Sequence, residues 1–199
     1  MTKTTLRKKC LKRLKTVGVH SKKYRDAKIN RHLYNNQKLK KARHVLAFWP
    51  LGMESDIRPT LTHLRRQKNL YLPFMEDDSF KMVPFRFPLK PKRFGIYEPG
   101  NSQRKIKKID VAIVPAVGVD GEGRRIGFGK GMYDRFFARL KHKPYIIFIQ
   151  SQLCNTTQYI CDDYDIKADE LITPHACYRI MKGTNYDKRN TLRRRYRHH

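Results

Sequence analysis

Glycine residues are concentrated around one lysine between Asp120 and Asp134, directly after the apolar run 111–115. The glycines are Gly123, Gly127, Gly129 and Gly131, and the lysine is Lys130. Glycine lets backbone N–H groups approach an anion closely and tolerates positive φ angles. A helix that begins near Lys130 would direct the positive end of its dipole toward the same anion. The segment therefore predicts a strand, a phosphate-binding loop and a helix, in that order.

The spacing of these glycines excludes two common phosphate-binding motifs. A P-loop needs a glycine five residues before its Gly-Lys pair and a serine or threonine after the lysine, but Arg124 and Gly131 occupy those positions. A dinucleotide-binding fingerprint needs Gly-x-Gly-x-x-Gly, and the run from Gly127 to Gly131 is one residue short. The sequence therefore predicts a phosphate loop of a different kind.

Apolar periodicity divides the rest of the chain into helices and strands. Helical spacing predicts a helix from Lys3 to Val17, with Thr2 as its N-cap and Gly18 as its stop. Continuous apolar runs predict buried strands. The other expected helices are 21–43, 59–66 and 130–140, and the expected strands are 44–50, 69–74, 111–115 and 145–150, with short strands between 80 and 98. Strands that alternate with helices favour βαβ units, an α/β fold and a largely parallel sheet.

The chain length is compatible with one compact domain. Its 199 residues and 39% hydrophobic content are enough for a sizeable core. We expect this domain to span residues 1–181 and a basic tail to span 182–199. No apolar run approaches the roughly 20 residues needed to cross a membrane, and the N-terminus lacks the apolar region of a signal peptide. These features predict a cytoplasmic protein without membrane contact, and we expect it to be a monomer.

The cysteines are scattered through the sequence. Cys10, Cys154, Cys161 and Cys177 form no Cys-x-x-Cys pair, and no clustered histidines complete a zinc site. Cysteines in a reducing compartment are usually free thiols. We therefore expect neither disulfides nor a zinc site.

The formal charge of +28 raises a different possibility, which is nucleic-acid binding. Clustered lysines and arginines neutralise phosphates and release counterions. The basic residues are concentrated in the segment up to Arg43, where Asp26 is the one acid, and in the segment 188–197. Neither segment contains an RNA-recognition, helix-turn-helix or zinc-finger pattern, so no specific nucleic-acid partner is expected. We interpret the charge mainly as a solvated basic surface, which would also attract anionic substrates.

The pattern Asp-x-x-Gly-x-Arg-x-Gly-x-Gly-Lys-Gly-x-Tyr-Asp, from Asp120 to Asp134, resembles the signature of the 5-formyltetrahydrofolate cyclo-ligase family. The resemblance covers nearly the whole chain up to about Thr173. It implies a three-layer α/β sandwich of the NagB/RpiA/CoA-transferase-like type, in which helices flank a largely parallel sheet. It also implies a ligase that uses ATP and Mg²⁺ to cyclise 5-formyltetrahydrofolate to 5,10-methenyltetrahydrofolate, through a phosphorylated formyl group, with release of ADP and phosphate.

The resemblance assigns ATP to the glycine loop and to the N-terminal helix. In the family a Lys-x-x-Leu-Arg-like helix reaches ATP, and Lys3, Leu6 and Arg7 match it. A spacing of four residues puts Lys3 and Arg7 on one helical face, where both can bind one polyphosphate. Catalytic roles fall on Lys130 and Arg125, because negative charge develops on the transferring phosphoryl group. The implied ATP-binding residues are Lys3, Arg7, Arg125, Ile126, Gly127, Phe128, Gly129, Lys130, Gly131, Met132 and Tyr133. Tyr133 either stacks on adenine or fills the core.

The implied folate site centres on Glu54, which follows the first predicted strand. An acid at the carboxyl end of a parallel strand lies where open α/β sheets bind ligands. By resemblance Glu54 bonds the N–H edge of the pterin, with Trp49 and Met53 against its ring. The alternative is an acid that interacts with a helix dipole. The implied substrate-binding residues are Trp49, Met53, Glu54, Phe128, Gly129 and Lys130.

The resemblance places Mg²⁺ at Asp134, because carboxylate oxygens suit hard cations on polyphosphates. Asp165 matches a second metal-linked acid, and Asp169 is the nearby alternative. These acids can instead be surface carboxylates. In that case Asp134 would form an ion pair with Arg135 on the helix surface. Two other functions remain open, a basic nucleic-acid-associated protein that retains the fold and a related ATP-using enzyme that acts on another substrate.

Overall fold

The computed structural model describes residues 1–92, 95–104, 106 and 108–180. The helices are α1 (Lys3–Lys15), α2 (Val19–Asn35), α3 (Gln37–Lys41), α4 (Arg58–Gln67) and α5 (Met132–Ala138). The strands are β1 (His44–Leu46), β2 (Asn69–Glu76), β3 (Ser79–Pro84), β4 (Lys90–Pro91), β5 (Tyr97–Glu98), β6 (Val111–Pro115), β7 (Gly118–Val119), β8 (Arg125–Ile126), β9 (Tyr145–Ile149), β10 (Glu170–Ile172) and β11 (Cys177–Arg179). Within these residues no helix has the length and apolarity needed to cross a membrane. The predicted boundary at 181 and the tail 182–199 lie outside the described residues.

A seven-stranded mixed sheet forms the centre of the described part of the chain, in the order β11-β10-β9-β6-β1-β2-β3. The five inner strands run parallel to one another, and β3 and β11 pair antiparallel at the two edges. Separate two-stranded hairpins are formed by β4 with β5 and by β7 with β8. The α/β class and the largely parallel sheet predicted from the sequence are confirmed.

Alternate residues of each inner strand point to opposite faces of the sheet and divide the core in two. Along β6, Val111 and Ile113 belong to the apolar cluster that includes residues of α2, α3 and α4. Ala112 and Val114 belong to the cluster that includes the phenylalanines of α5. Helices therefore cover both faces of the sheet. A further cluster packs α1, through Leu6 and Cys10, against residues of the β7–β8 hairpin region.

Two segments differ from the predictions made from the sequence. The predicted helix 21–43 breaks at Asn36, because the Asn36 side chain accepts hydrogen bonds from the backbone N–H groups of Lys38 and Leu39 and caps α3. The predicted phosphate loop contains the β7–β8 hairpin, and its helix begins at Met132, two residues after Lys130. Gly131 has a φ of 63°, a left-handed conformation that does not continue an α-helix.

The prediction that all cysteines are free thiols is wrong. Cys10 in α1 and Cys154 after β9 form a disulfide, with their Cα atoms 5.6 Å apart. These cysteines are separated by 144 positions, so the pairing gives no local signal in the sequence. Packing of α1 against the loop after β9 brings them together in one apolar cluster. Cys161 and Cys177 are free thiols.

Candidate active site

A cavity of about 420 Å³ lies where α1, the β7–β8 hairpin and α5 meet. It is lined by Lys3, Arg7, Arg125, Gly127, Gly129, Lys130, Gly131, Asp134, Arg135, Ala138, Tyr164 and Asp165. The fold thus brings together every charged residue that the sequence predicted to bind ATP or a metal ion. Three glycines of the predicted phosphate loop lie among them. We call this space the glycine-loop cavity.

Arg125 forms a buried part of the cavity wall and is 5% exposed. Its Nε donates a hydrogen bond of 2.8 Å to the carbonyl oxygen of Pro115, and its guanidinium carbon lies 4.8 Å from the centre of the Tyr133 ring. Arg125 Nη1 lies 3.7 Å from Asp134 Oδ2. A Cβ at position 127 would lie 2.4 Å from Arg125 Nη1, so Gly127 permits the backbone to pass closely over the guanidinium. Arg125 therefore supplies a positive charge in a fixed orientation.

Two further cations reach the cavity from α1. Lys3 Nζ forms an ion pair with Asp165 and lies 3.3 Å from Asp162 Oδ2. Arg7 Nε donates a hydrogen bond of 2.9 Å to the carbonyl oxygen of Gly127. Burial alone would lower the pKa of Lys3, but the hydrogen bond and charge of Asp165 outweigh it and raise this pKa. Both side chains are thus charged and held beside the glycine loop.

Asp134 projects into the cavity from the first turn of α5. Its Oδ1 accepts a hydrogen bond of 3.2 Å from the backbone N–H of Ile166, and its other oxygen is the partner of Arg125. Arg135, considered above as a partner of Asp134, donates hydrogen bonds to the carbonyl oxygens of Asp78 and Lys130. Asp134 is therefore oriented toward the cavity by Arg125 and Ile166.

Asp165 is the second carboxylate of the cavity, and Asp169 is not among its lining residues. Asp165 Oδ2 accepts a hydrogen bond of 2.8 Å from the backbone N–H of Asp162, and this turn holds it next to Lys3. Asp169 instead accepts a hydrogen bond of 2.8 Å from the backbone N–H of Ile146 in the sheet. Mg²⁺ commonly binds one or two carboxylates together with substrate phosphates, so Asp134 and Asp165 suit this ion.

Asp120 organises the site, although no role was predicted for it beyond its place in the motif. This aspartate is 1% exposed, and its Oδ1 accepts hydrogen bonds of 2.9 Å from the backbone N–H groups of Glu122 and Arg124. Its Oδ2 accepts from the N–H groups of Ile160 and Cys161, at 3.3 and 3.1 Å. The carboxylate thereby joins the β7–β8 turn to the segment that leads to the acids of the cavity. The pair Asp120-Gly121 in the sequence is typical of a turn. The hydrogen bonds of Asp120 to Ile160 and Cys161 join distant positions and give no local signal in the sequence.

Glu54 lies in a second, narrow cavity of about 10 Å³, roughly the space of one water. Its lining residues are Leu14, Phe48, Met53, Glu54, Ser55, Pro115, Ala116, Phe128, Ile149 and Ser151. Glu54 Oε2 accepts a hydrogen bond of 2.8 Å from the backbone N–H of Leu51. Burial raises the pKa of Glu54 to about 7, although this hydrogen bond and the charges of Arg125 and Lys22 oppose the shift. A buried carboxyl group that titrates near neutrality is typical of functional sites.

Trp49, which was expected beside Glu54, packs elsewhere. Its ring centre lies 5.9 Å from that of Phe85 and 6.2 Å from that of Phe87. Met53 and Phe128 do line the cavity of Glu54. The structure therefore brings three of the predicted substrate-binding residues together and places Trp49 in a neighbouring aromatic group.

Several predicted ATP-binding residues face the core instead of the glycine-loop cavity. Ile126 is fully buried in the cluster beneath α1, and Met132 packs against the cluster beneath α5. Tyr133 lies 5.1 Å from the Phe80 ring and beneath Arg125, and burial raises its pKa. This position corresponds to the second of the two roles considered for Tyr133, that of a core residue.

Known proteins resemble this chain over most of its length. The model of the 5-formyltetrahydrofolate cyclo-ligase family matches residues 1–174. The 5-formyltetrahydrofolate cyclo-ligase of Haemophilus influenzae is 27% identical over 127 residues, which are 59% of this chain and 68% of that protein. The enzyme of the same name from Escherichia coli K12 is 28% identical over 143 residues, which are 67% of this chain and 79% of that protein.

Solved structures show the same relationship. The structure of Aquifex aeolicus 5,10-methenyltetrahydrofolate synthetase superimposes with a TM-score of 0.79 and 29% sequence identity, covering 94% of this chain and 97% of that one. A 5,10-methenyltetrahydrofolate synthetase from Mycoplasma pneumoniae has a TM-score of 0.66 at 23% identity, covers 87% of this chain and 99% of that one, and supports the fold alone. The matches extend well beyond the glycine loop on which the resemblance was first based.

Proposed function

Because this chain belongs to the 5-formyltetrahydrofolate cyclo-ligase family and is an enzyme of that class, we propose that it converts 5-formyltetrahydrofolate and ATP to 5,10-methenyltetrahydrofolate, ADP and phosphate. One observation supports this most directly. The glycine-loop cavity is lined by five cations, Lys3, Arg7, Arg125, Lys130 and Arg135, and by two carboxylates, Asp134 and Asp165. This is the charge arrangement that a nucleotide polyphosphate and its metal ion require.

The proposed reaction begins when the formyl oxygen of the substrate attacks the γ-phosphorus of ATP and ADP leaves. The N10 nitrogen then attacks the activated formyl carbon, and phosphate leaves as the ring closes. Charge on the transferring phosphoryl group is the main electrostatic demand of the first step. Arg125, held by Pro115 and Tyr133, supplies charge in a fixed orientation. Lys130 lies on the exposed side of the same cavity, where it can reach the phosphoryl group.

Asp134 and Asp165 are the residues that would hold Mg²⁺. Both line the glycine-loop cavity, and each keeps a backbone hydrogen bond that fixes its carboxylate. Bound Mg²⁺ would neutralise charge on the polyphosphate oxygens. Lys3 now pairs with Asp165 and Arg125 with Asp134, so the same carboxylates also hold the cations in place.

The folate substrate is proposed to bind at Glu54, with Met53 and Phe128 against the pterin. Phe128 belongs to the glycine loop and also lines the cavity of Glu54, so a single loop adjoins both proposed sites. A carboxyl group with a pKa of about 7 can accept or donate a hydrogen bond at neutral pH. The narrowness of this cavity implies that Met53, which is 40% exposed, moves when a ring enters.

Turnover of the full chain with 5-formyltetrahydrofolate, ATP and Mg²⁺ tests the proposal, with the near-ultraviolet absorbance of the methenyl product as the signal. Lys130→Ala should lower turnover by about 10²-fold or more while the protein stays folded, because it removes a charge aimed at the phosphoryl group. Lys141→Ala, at an exposed position after α5, is the matched control and should have little effect. ATP hydrolysis without methenyl product would favour a related enzyme that acts on another substrate.

A further inference from the structure

The positive charge is unevenly distributed over the fold. The helical layer formed by residues 19–43 and 58–68, which contains α2, α3 and α4, has thirteen lysines and arginines and one acid, Asp26. Asp26 is buried and paired with Lys22. We call this surface the α2–α4 layer. None of its residues lines the glycine-loop cavity, and although the charge of Lys22 acts on Glu54, the proposed reaction leaves most of the charge of the layer unexplained.

Two acids at the borders of the α2–α4 layer contact residues of the layer. Asp56 pairs with Arg58. Glu170 accepts hydrogen bonds from Asn36 and Tyr145. These two carboxylates are few compared with the thirteen lysines and arginines, so most of the positive charge of the layer is not neutralised.

Exposed aromatic rings accompany the cations of this layer. Tyr24 is 60% exposed, and Lys28 Nζ lies 5.3 Å from the centre of its ring. Tyr34 is exposed on the same helix and meets His63 of α4 edge to face, with ring centres 5.2 Å apart. Where α4 ends, Arg65 lies 4.9 Å from the ring centre of Phe87, which is 54% exposed. Two of these three exposed rings, Tyr24 and Phe87, therefore have a lysine or arginine beside them.

We propose that the α2–α4 layer is a docking face for single-stranded nucleic acid. Such strands are bound without sequence preference by cations that follow the phosphate backbone and by aromatic rings on which bases stack. Tyr24, Lys28 and Arg31 are spaced i, i+4 and i+7, so they share the outward face of α2. This pairing of rings with cations is complementary to the alternation of bases and phosphates in a strand.

The aliphatic residues of the layer favour nucleic acid over a membrane surface. Ile29, Leu33, Leu39, Leu61 and Leu64 are buried in the cluster against the sheet. Insertion into a lipid interface requires such side chains on the outer face of a helix. The rings that face outward are instead mainly tyrosines, whose hydroxyl groups suit a wet interface with bases.

The affinity of the full chain for a fluorescent 15-nucleotide oligouridylate, measured by anisotropy as a function of salt, tests the proposal. We expect a Kd of about 10⁻⁴ to 10⁻⁶ M at physiological salt, with a steep salt dependence. A face variant combines Lys28→Gln, Arg31→Gln, Lys40→Gln and Lys41→Gln. It should lower the slope of log K against log salt by about 3, because each lost phosphate contact contributes roughly 0.7 for a single strand. Oligothymidylate in a parallel titration separates RNA from DNA as the preferred strand.

A matched control carries the same number of lysine and arginine changes at exposed positions outside the layer, Lys90→Gln, Arg104→Gln, Lys141→Gln and Lys143→Gln. Equal losses in the two variants would overturn the proposal, because they would mean that only the total charge matters. Cyclo-ligase turnover should be unchanged in the face variant, which confirms that it is folded.

The rings are tested separately. Tyr24→Ala with Tyr34→Ala should weaken oligouridylate binding at least about 5-fold with an unchanged salt slope, whereas Tyr159→Ala, at an exposed tyrosine outside the layer, should not. An unchanged affinity in the double variant would contradict a stacking role. Tighter binding to vesicles that contain phosphatidylserine than to the oligonucleotide would identify the layer as a membrane-binding face and reject the proposal.

Discussion

The surroundings of Glu54 change the pKa of its carboxyl group strongly. Its carboxyl group is 8% exposed, and burial raises its pKa to about 7 from an ordinary value of 4.5. The folded chain therefore retains a proton between about pH 4.5 and 7 that the unfolded chain releases. Since the folded state binds more protons in this window, the contribution of Glu54 to the free energy of unfolding falls as pH rises through it.

The substitution Glu54→Gln should remove this dependence. Glutamine keeps an oxygen that can accept from the Leu51 N–H, but it never ionises. Relative to the original chain, the variant should be of similar stability below pH 4.5 and more stable by up to about 3 kcal/mol above pH 7. Urea unfolding of both proteins from pH 4 to 8 measures the difference. A difference that stays constant with pH would mean that Glu54 does not titrate in this window.

Among the elements, the β7–β8 hairpin depends most on a single buried side chain. Asp120→Asn preserves the shape of the side chain but replaces one oxygen with an amide NH₂, which would face backbone N–H groups. Buried donors without an acceptor cost about 1–3 kcal/mol, so we expect lower stability and a raised KM for ATP. Asp77→Asn, at an exposed turn position, is the matched control. Thermal unfolding measures the stability of both variants, and turnover at increasing ATP concentration measures their KM. An unaltered KM in Asp120→Asn would argue that the hairpin holds its position without the Asp120 carboxylate.

The elements also show which features could be predicted from the sequence. Strand β6 and helix α5 were predicted because apolar runs and glycine spacing are local signals. The cations expected to bind ATP, Lys3, Arg7, Arg125 and Lys130, were assigned by the family resemblance, and the structure places all four in one cavity. The Cys10–Cys154 disulfide, the bonds of Asp120 and the packing of Trp49 against Phe85 depend on contacts between distant positions. Local patterns contain no information about such contacts, so these features required the structure.

At the scale of the whole molecule, the positive charge includes contributions from the α2–α4 layer and from the tail 182–199, for which we expect different roles. The tail 182–199 contributes to the total of +28. On the hypothesis that the tail is a solvated appendage, deleting it should leave cyclo-ligase turnover within about a factor of three, because solvated surface charges contribute little at physiological salt. Turnover of the chain ending at Met181, compared with the full chain at 0.15 M salt, checks this expectation. A large loss of turnover would show that the tail takes part in the reaction or in folding.

The position of α1 has a consequence for how the protein is made. Helix α1 precedes all three of its partners in the sequence, since Lys3 pairs with Asp165, Arg7 bonds to Gly127 and Cys10 joins Cys154. On the ribosome, α1 must therefore wait until positions 127, 154 and 165 have been synthesised before all three contacts can form. The glycine-loop cavity is thus completed late in biosynthesis, because its lining includes both Lys3 and Asp165.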